Sequence, residues 1–257
     1  MKEAYSEELI SFEEQHKVVQ TNTSYYDLKW RSVQNPAKEN SWNWIAFFFS
    51  TFWLAYRKMY KPFFMLGLAE ILWMIPSYFV DVPLWLDIPF YLAMSLLVGW
   101  SGNRWYYNHT SQVLEQAKVL TESQQDSYLR TKGGTHIGIM LGLHALLFVF
   151  YIVSDIGLSY LPTETNVKNA VRLSGEGETL EAFTDEPKWN YVKKEGRHHV
   201  IEFTGYDYSE NEDVRIFFYV YLDKQIYEWK QIYINGEKLN ETEAEDYELW
   251  IEDNSWY

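Results

Sequence analysis

Three ionisable side chains stand where water is not expected. Glu70 interrupts an apolar stretch over residues 63–80, His144 lies in the apolar stretch 137–154, and Asp155 follows directly after it. A charge in hydrocarbon is costly, so such groups face a partner or a wet cavity. A Glu and a His brought together there could relay protons or hold a metal ion. The plainer expectation is that Glu70 stays neutral or pairs with His144 and specifies helix packing, while Asp155 reaches out to the interface.

Further groupings carry other chemistry. Asn103, Arg104 and His109 follow the apolar stretch 83–100 and are interleaved with Trp105, Tyr106 and Tyr107. They could contact a lipid headgroup or a ligand, and a basic residue among rings at the end of a span also suits interfacial anchoring. Trp189, Trp229, Tyr219 and Tyr221, with Trp250 and Trp256, could form an aromatic face for a glycan or a peptide, although a small domain needs most such rings in its core. His198 and His199 are adjacent, and neighbours on a strand point to opposite faces, so they do not suit one metal ion. The acidic run Asp207, Glu210, Glu212, Asp213 lacks the glycine and ligand spacing of a calcium loop. There is no cysteine, which excludes disulfides, thiolate nucleophiles and zinc–thiolate sites. No glycine-rich phosphate loop and no Ser/His/Asp arrangement is present. The expectation is a protein without metal or cofactor and without enzymatic activity.

The elements that must position these residues follow from hydropathy and charge. Residues 1–41 are polar, with Leu9, Phe12, His16 and Val19 on one helical face and a Glu13/Lys17 pair; they predict a cytosolic arm with a solvent-exposed helix. Residues 42–58 contain a 13-residue apolar aromatic run, Trp44–Tyr56, too short to cross about 30 Å of hydrocarbon and followed by Arg57, Lys58 and Lys61. An interfacial or re-entrant segment is expected there. Three spans are predicted at about 62–80, 83–101 and 137–160, with a cytosolic loop over 102–136 in which Val113, Ala117 and Leu120 mark a short helix ended by Gly133 and Gly134.

Lys and Arg number eight before the first span, none between the first two, and four over residues 102–136. That alternation predicts a cytoplasmic N-terminus and an extracytoplasmic C-terminus. Residues 161–257 hold 10 basic and 22 acidic groups, nearly all of the chain's −14, so nucleic acid is not an expected partner of this part. Residues 214–222 alternate with the period of a strand, Asp223-Lys224 turns into a second strand over 225–234, and Asn235-Gly236 signals a tight turn. Strands are also expected at 200–204 and 247–251, with a short helix from Thr179.

The blocks Ser41-Trp42-Asn43-Trp44-Ile45-Ala46-Phe47-Phe48-Phe49, Phe52-Trp53-Leu54-Ala55-Tyr56-Arg57-Lys58-Met59-Tyr60 and Gly102-Asn103-Arg104-Trp105-Tyr106-Tyr107-Asn108-His109 resemble a bacterial family known as domain of unknown function 2628, over roughly residues 30–115. Thr179 to Phe183, Pro187-Lys188-Trp189, Val200 to Gly205 and Ile234-Asn235-Gly236 resemble a small domain attached to membrane-anchored proteins of Gram-positive bacteria. The resemblances imply a bacterial plasma-membrane protein and supply no catalytic residues.

The fold class expected is a membrane α-helical region (42–161) of three spans plus an interfacial helix, followed by a small acidic α+β domain (162–257) with an antiparallel sheet. The function expected is a membrane-anchored extracytoplasmic binding or interaction module. A membrane-embedded enzyme or transporter subunit using Glu70 and His144, or a signal-relaying subunit, are the alternatives. The expected partners are the lipid bilayer, a protein or envelope component, and a second copy of the chain.

Overall fold

A computed structural model describes residues 12–255. The chain has a helical N-terminal part followed by a five-stranded antiparallel sheet, and it divides into two units, residues 1–73 with 83–152 and residues 74–82 with 153–257. Leu9, Trp256 and both chain termini lie outside the described residues.

In the first unit α1 (Phe12–Val19), α2 (Thr23–Arg31), α3 (Trp44–Tyr56) and α6 (Glu122–Lys132) gather around α5 (Asp87–Ala117). The expected solvent-exposed arm is packed instead: Val18, Val19, Tyr26 and Trp30 are buried. The reason is the aromatic content of α2, whose Tyr26 and Trp30 rings meet Tyr106 and Tyr107 of α5. The expected loop over 102–136 is likewise helical, because α5 runs on without a break to Ala117 and buries Val113 and Ala117. The helix marked by Val113 and Ala117 ends at Ala117 rather than at Gly133 and Gly134, which instead follow a separate helix, α6.

Among the described residues two helical segments are long and apolar enough to cross a membrane, residues 84–117 and α7 (Ile137–Ser159). The expected first span is interrupted. Helix α4 (Tyr60–Met74) stops after 15 residues, and a 3-10 turn Ile75–Tyr78 follows because Pro76 lacks an N–H and its ring clashes with the preceding turn.

In the second unit the strands β1 (Asp185–Glu195), β2 (His198–Asp207), β3 (Glu212–Tyr221), β4 (Ile226–Ile234) and β5 (Glu237–Lys238) pair in sequence order. The period of two is explicit in β3: Val214, Ile216, Phe218 and Val220 are buried, and Arg215, Phe217, Tyr219 and Tyr221 face the other way. Asn235 and Gly236, with φ of 51° and 82°, form the turn that the Asn-Gly pair requires. Helix α8 (Glu164–Arg172) is capped by Thr163 and buries Val167 and Val171; α9 (Gly175–Phe183) is capped by Ser174 and buries Leu180. The strand expected at 247–251 is instead part of α10 (Glu241–Asn254). Asn240 and Glu243 form a reciprocal capping box at its start, and Ala244, Tyr247 and Ile251 then fall on one face against the sheet core. A capped start and a 3.6-residue period outweigh the local strand propensity of Tyr247 to Ile251. The long edge strand β1 carries Lys188, Lys193 and Lys194 and shifts register twice, devices that discourage edge-to-edge pairing.

Candidate functional site

The blocks around Asn43 and Asn103 come together. Asn43 caps α3, its side-chain oxygen accepting from the Ala46 N–H at 3.0 Å, and its amide donates to Asn103 Oδ1 at 2.9 Å. The Asn103 amide in turn donates to the Ser41 carbonyl and hydroxyl at 3.1 and 3.0 Å, and Trp30 Nε1 donates to the Asn103 carbonyl at 3.0 Å. Asn103 is fully buried. Its hydrogen-bonding capacity is therefore spent on the fold rather than offered to a headgroup. Glycines permit this approach: a Cβ on Gly99 would stand 2.7 Å from Phe47 Cβ, and one on Gly102 would stand 3.1 Å from Ala46 Cβ. Arg104 lies at the rim and reaches the Lys38 carbonyl at 3.5 Å.

Arg57 is the charged residue that sequence reasoning treated only as a flank. It is 3% exposed and donates to the Thr21 hydroxyl and the Tyr106 hydroxyl at 3.2 and 3.3 Å. Its guanidinium lies 4.8 Å from the Tyr26 ring centre and 5.1 Å from that of Tyr106, so ring faces stand in for a counter-ion. Burial pushes both phenols above the usual tyrosine range, and Arg57 partly opposes this.

The ionisable candidates of the apolar stretches go to separate places. His144 Nδ1 lies 2.8 Å from the Met140 carbonyl and Nε2 lies 3.3 Å from the Thr51 hydroxyl, while its ring stacks on Phe52 at 3.7 Å. Glu70 is half-buried on α4 within electrostatic reach of Tyr91, and no hydrogen bond joins it to His144. Asp155 accepts a hydrogen bond from the Tyr78 hydroxyl. Among the described residues no three His, Asp or Glu side chains are grouped to hold a metal ion.

His109 stands between two adjoining hollows that share Tyr60, His109 and Gln112, with volumes of ≈ 440 and ≈ 430 Å³. One is walled by the start of α4 and by α5, the other by α5, α6 and the start of α7. Lys58 Nζ donates to the carbonyls of Thr131, at 2.8 Å, and Gly133. Burial, and after it the charge of Lys132, hold Lys58 below the usual lysine range; burial, and after it Lys58, hold His109 below the usual histidine range. In each case burial is the larger cause and the nearby positive charge adds to it.

The four rings expected on one aromatic face are divided between two. Trp189 and Trp229 turn towards the core, against Phe203 and Phe218, and Trp189 Nε1 donates to Glu181, which also holds Arg172. Tyr219 and Tyr221 face away. The sheet period divides them, since Trp229 pairs with the inward Phe218 while Tyr219 is its outward neighbour. The outward face continues with Phe217, Tyr233 and His198, the last stacked on Tyr219 at 4.0 Å. Lys230 and Arg215 lie over its rings. His199 turns inward to the Tyr191 hydroxyl, on the other side from His198. Asp207 accepts from the Ser209 and Glu210 amides and closes its own loop.

Residues 12–112 match the model of a family described as "Protein of unknown function (DUF2628)". The match starts with α1 and ends within α5, so it takes in the Asn43–Asn103 contact and leaves the sheet outside. The N-terminal resemblance read from residues 41–60 and 102–109 is that of this family. No curated protein and no solved structure matches the chain.

Proposed function

We propose that the chain is a membrane-anchored binding module of a bacterial plasma membrane, with a cytoplasmic N-terminus, three passes and an extracytoplasmic C-terminal domain that engages a protein or envelope partner. The observation that carries the binding role is the asymmetry of the sheet: helices and the inward side chains bury one face, and the other leaves Phe217, Tyr219, Tyr221 and Tyr233 partly open. Rings of this kind supply large contact area at low entropic cost.

Membrane insertion is supported by α7, a 23-residue helix with an 18-residue window of mean hydropathy 2.2, which exposes Leu141, Leu146, Phe148, Val149 and Val153. Water does not tolerate so broad an apolar surface. The third pass is assigned to α4 with the turn that follows it: 15 α-helical and 4 3-10 residues rise together about 30 Å, the thickness of the hydrocarbon layer. The Lys and Arg alternation supports the orientation. Helix α3 is a re-entrant segment in this reading, since it bends at Ser50 and exposes Phe48, Phe49 and Phe52. The bonding of His144 to Thr51 and Met140 gives no support to a Glu70/His144 relay.

The test is made in cells. A tag after Tyr257 should be open to external protease in intact cells and one before Met1 protected; the reverse would overturn the orientation. A photo-crosslinking side chain at Tyr219 or Tyr221 should capture a partner that the same group at Trp229 does not. Tyr219→Ala with Tyr221→Ala should reproduce the phenotype of deleting 163–257 at normal abundance. If it does not, the open face is not the binding face.

A further inference from the structure

The two hollows that meet at His109 combine a cationic rim with an apolar floor, at the polar end from which α4 and α7 start. Lys61 lines the first hollow, Lys58 and Lys132 the second, and His109 both. No Asp or Glu lines either hollow, and among the described residues none of Lys58, Lys61 and Lys132 is in an ion pair. Lysines therefore line both adjoining hollows with no acidic residue in either lining, and an anion would relieve the repulsion between Lys58 and Lys132. The floor of the first hollow runs out along Met65 and Leu97, which are 62% and 44% exposed on the surface that the membrane reading assigns to lipid.

We propose that this groove holds one anionic phospholipid, its headgroup phosphate between Lys61, Lys132 and His109 and an acyl chain along Met65 and Leu97. The occupant is a lipid rather than a soluble anion or an acidic peptide because the apolar floor is continuous with the lipid-facing helix surface, where only an amphiphile satisfies both halves. Lys58 positions the site: tied to two carbonyls, it adds charge from a fixed point while Lys61 and Lys132 stay free to close on phosphate.

The inference rests on the membrane reading, and one experiment separates the two. Membranes holding the full chain are washed with alkaline carbonate; release of the chain would overturn the membrane reading itself. Retained protein is purified in detergent and titrated with phosphatidylglycerol or phosphatidylcholine under native mass spectrometry. Phosphatidylglycerol should be retained at least tenfold more strongly. In Lys61→Gln with Lys132→Gln that retention should fall about thirtyfold, with an unchanged thermal midpoint. Leu97→Trp, which fills the floor and keeps every charge, should weaken phosphatidylglycerol too. Equal retention of the two lipids, or an unaffected double variant, would overturn the proposal. So would displacement of phosphatidylglycerol by millimolar inorganic phosphate together with an unaffected Leu97→Trp, which would mark a soluble-anion site.

Discussion

Asn103 and Arg104 are neighbours in sequence with opposite duties. Asn103 Oδ1 accepts from Asn43 and its amide donates to Ser41, whereas Arg104 makes one long contact at the rim. Asn103→Ala should cost about 2–3 kcal/mol, because it leaves the buried Asn43 amide and the Ser41 carbonyl without partners. Arg104→Ala should stay within about 0.5 kcal/mol. Thermal melting of the detergent-solubilised protein checks both, and equal losses would mean that the Asn43–Asn103 contact does not hold the unit together. Both residues were legible as candidates from their place after an apolar run; which one the fold consumes depends on what α2 and α3 bring to them.

At the scale of elements, the seating of α3 on α5 depends on what is missing from Gly99. Gly99→Leu would drive its side chain into Phe47, whose Cα already stands 3.2 Å from the Cβ position. A loss of about 1–3 kcal/mol is expected from such overpacking, read as a lowered melting midpoint together with increased proteolysis of α3. Unchanged melting and proteolysis would mean that α3 is free to move away. The run Trp44–Tyr56 was legible as a short apolar helix, with the bounds that the structure shows. Its bend was not. Ser50 sits at φ 36°, a conformation that no local rule assigns to serine.

At the scale of the molecule, the sheet and its three helices form their own core. Every fully buried side chain of that core, from Val167 to Ile251, lies within residues 163–257. That fragment should be soluble and β-rich, with one cooperative thermal transition; a disordered fragment would show that the sheet needs the rest of the chain. Its alkaline limit also follows. Burial, reinforced by Asp207 and Glu212, pushes the Tyr247 phenol up to about 12, while the unfolded chain ionises it near 10. A raised folded pKa favours the fold fully below about pH 10, and the advantage is lost as pH rises from there through 12. Tyr247→Phe should remove that part of the alkaline dependence in urea titrations between pH 9 and 12. An unchanged slope would mean that Tyr247 is ionised as readily folded as unfolded.

Hydropathy and period by themselves determined the helical first part, the apolar helix α7, the strands β3 and β4 and the Asn-Gly turn. These signals are local: a run of apolar residues, an alternation, or a residue pair that accepts positive φ. The tertiary structure decided the rest. It separated His144 from Glu70 by giving the imidazole Thr51 and Phe52 as partners, and divided Trp229 from Tyr219 across a sheet. It also turned Lys58 and Lys132, which are 74 positions apart in sequence, into neighbours around one groove. A residue's type and spacing state what it can bond to. Which partner it meets depends on contacts between distant segments, and those are set by packing that no window of sequence contains.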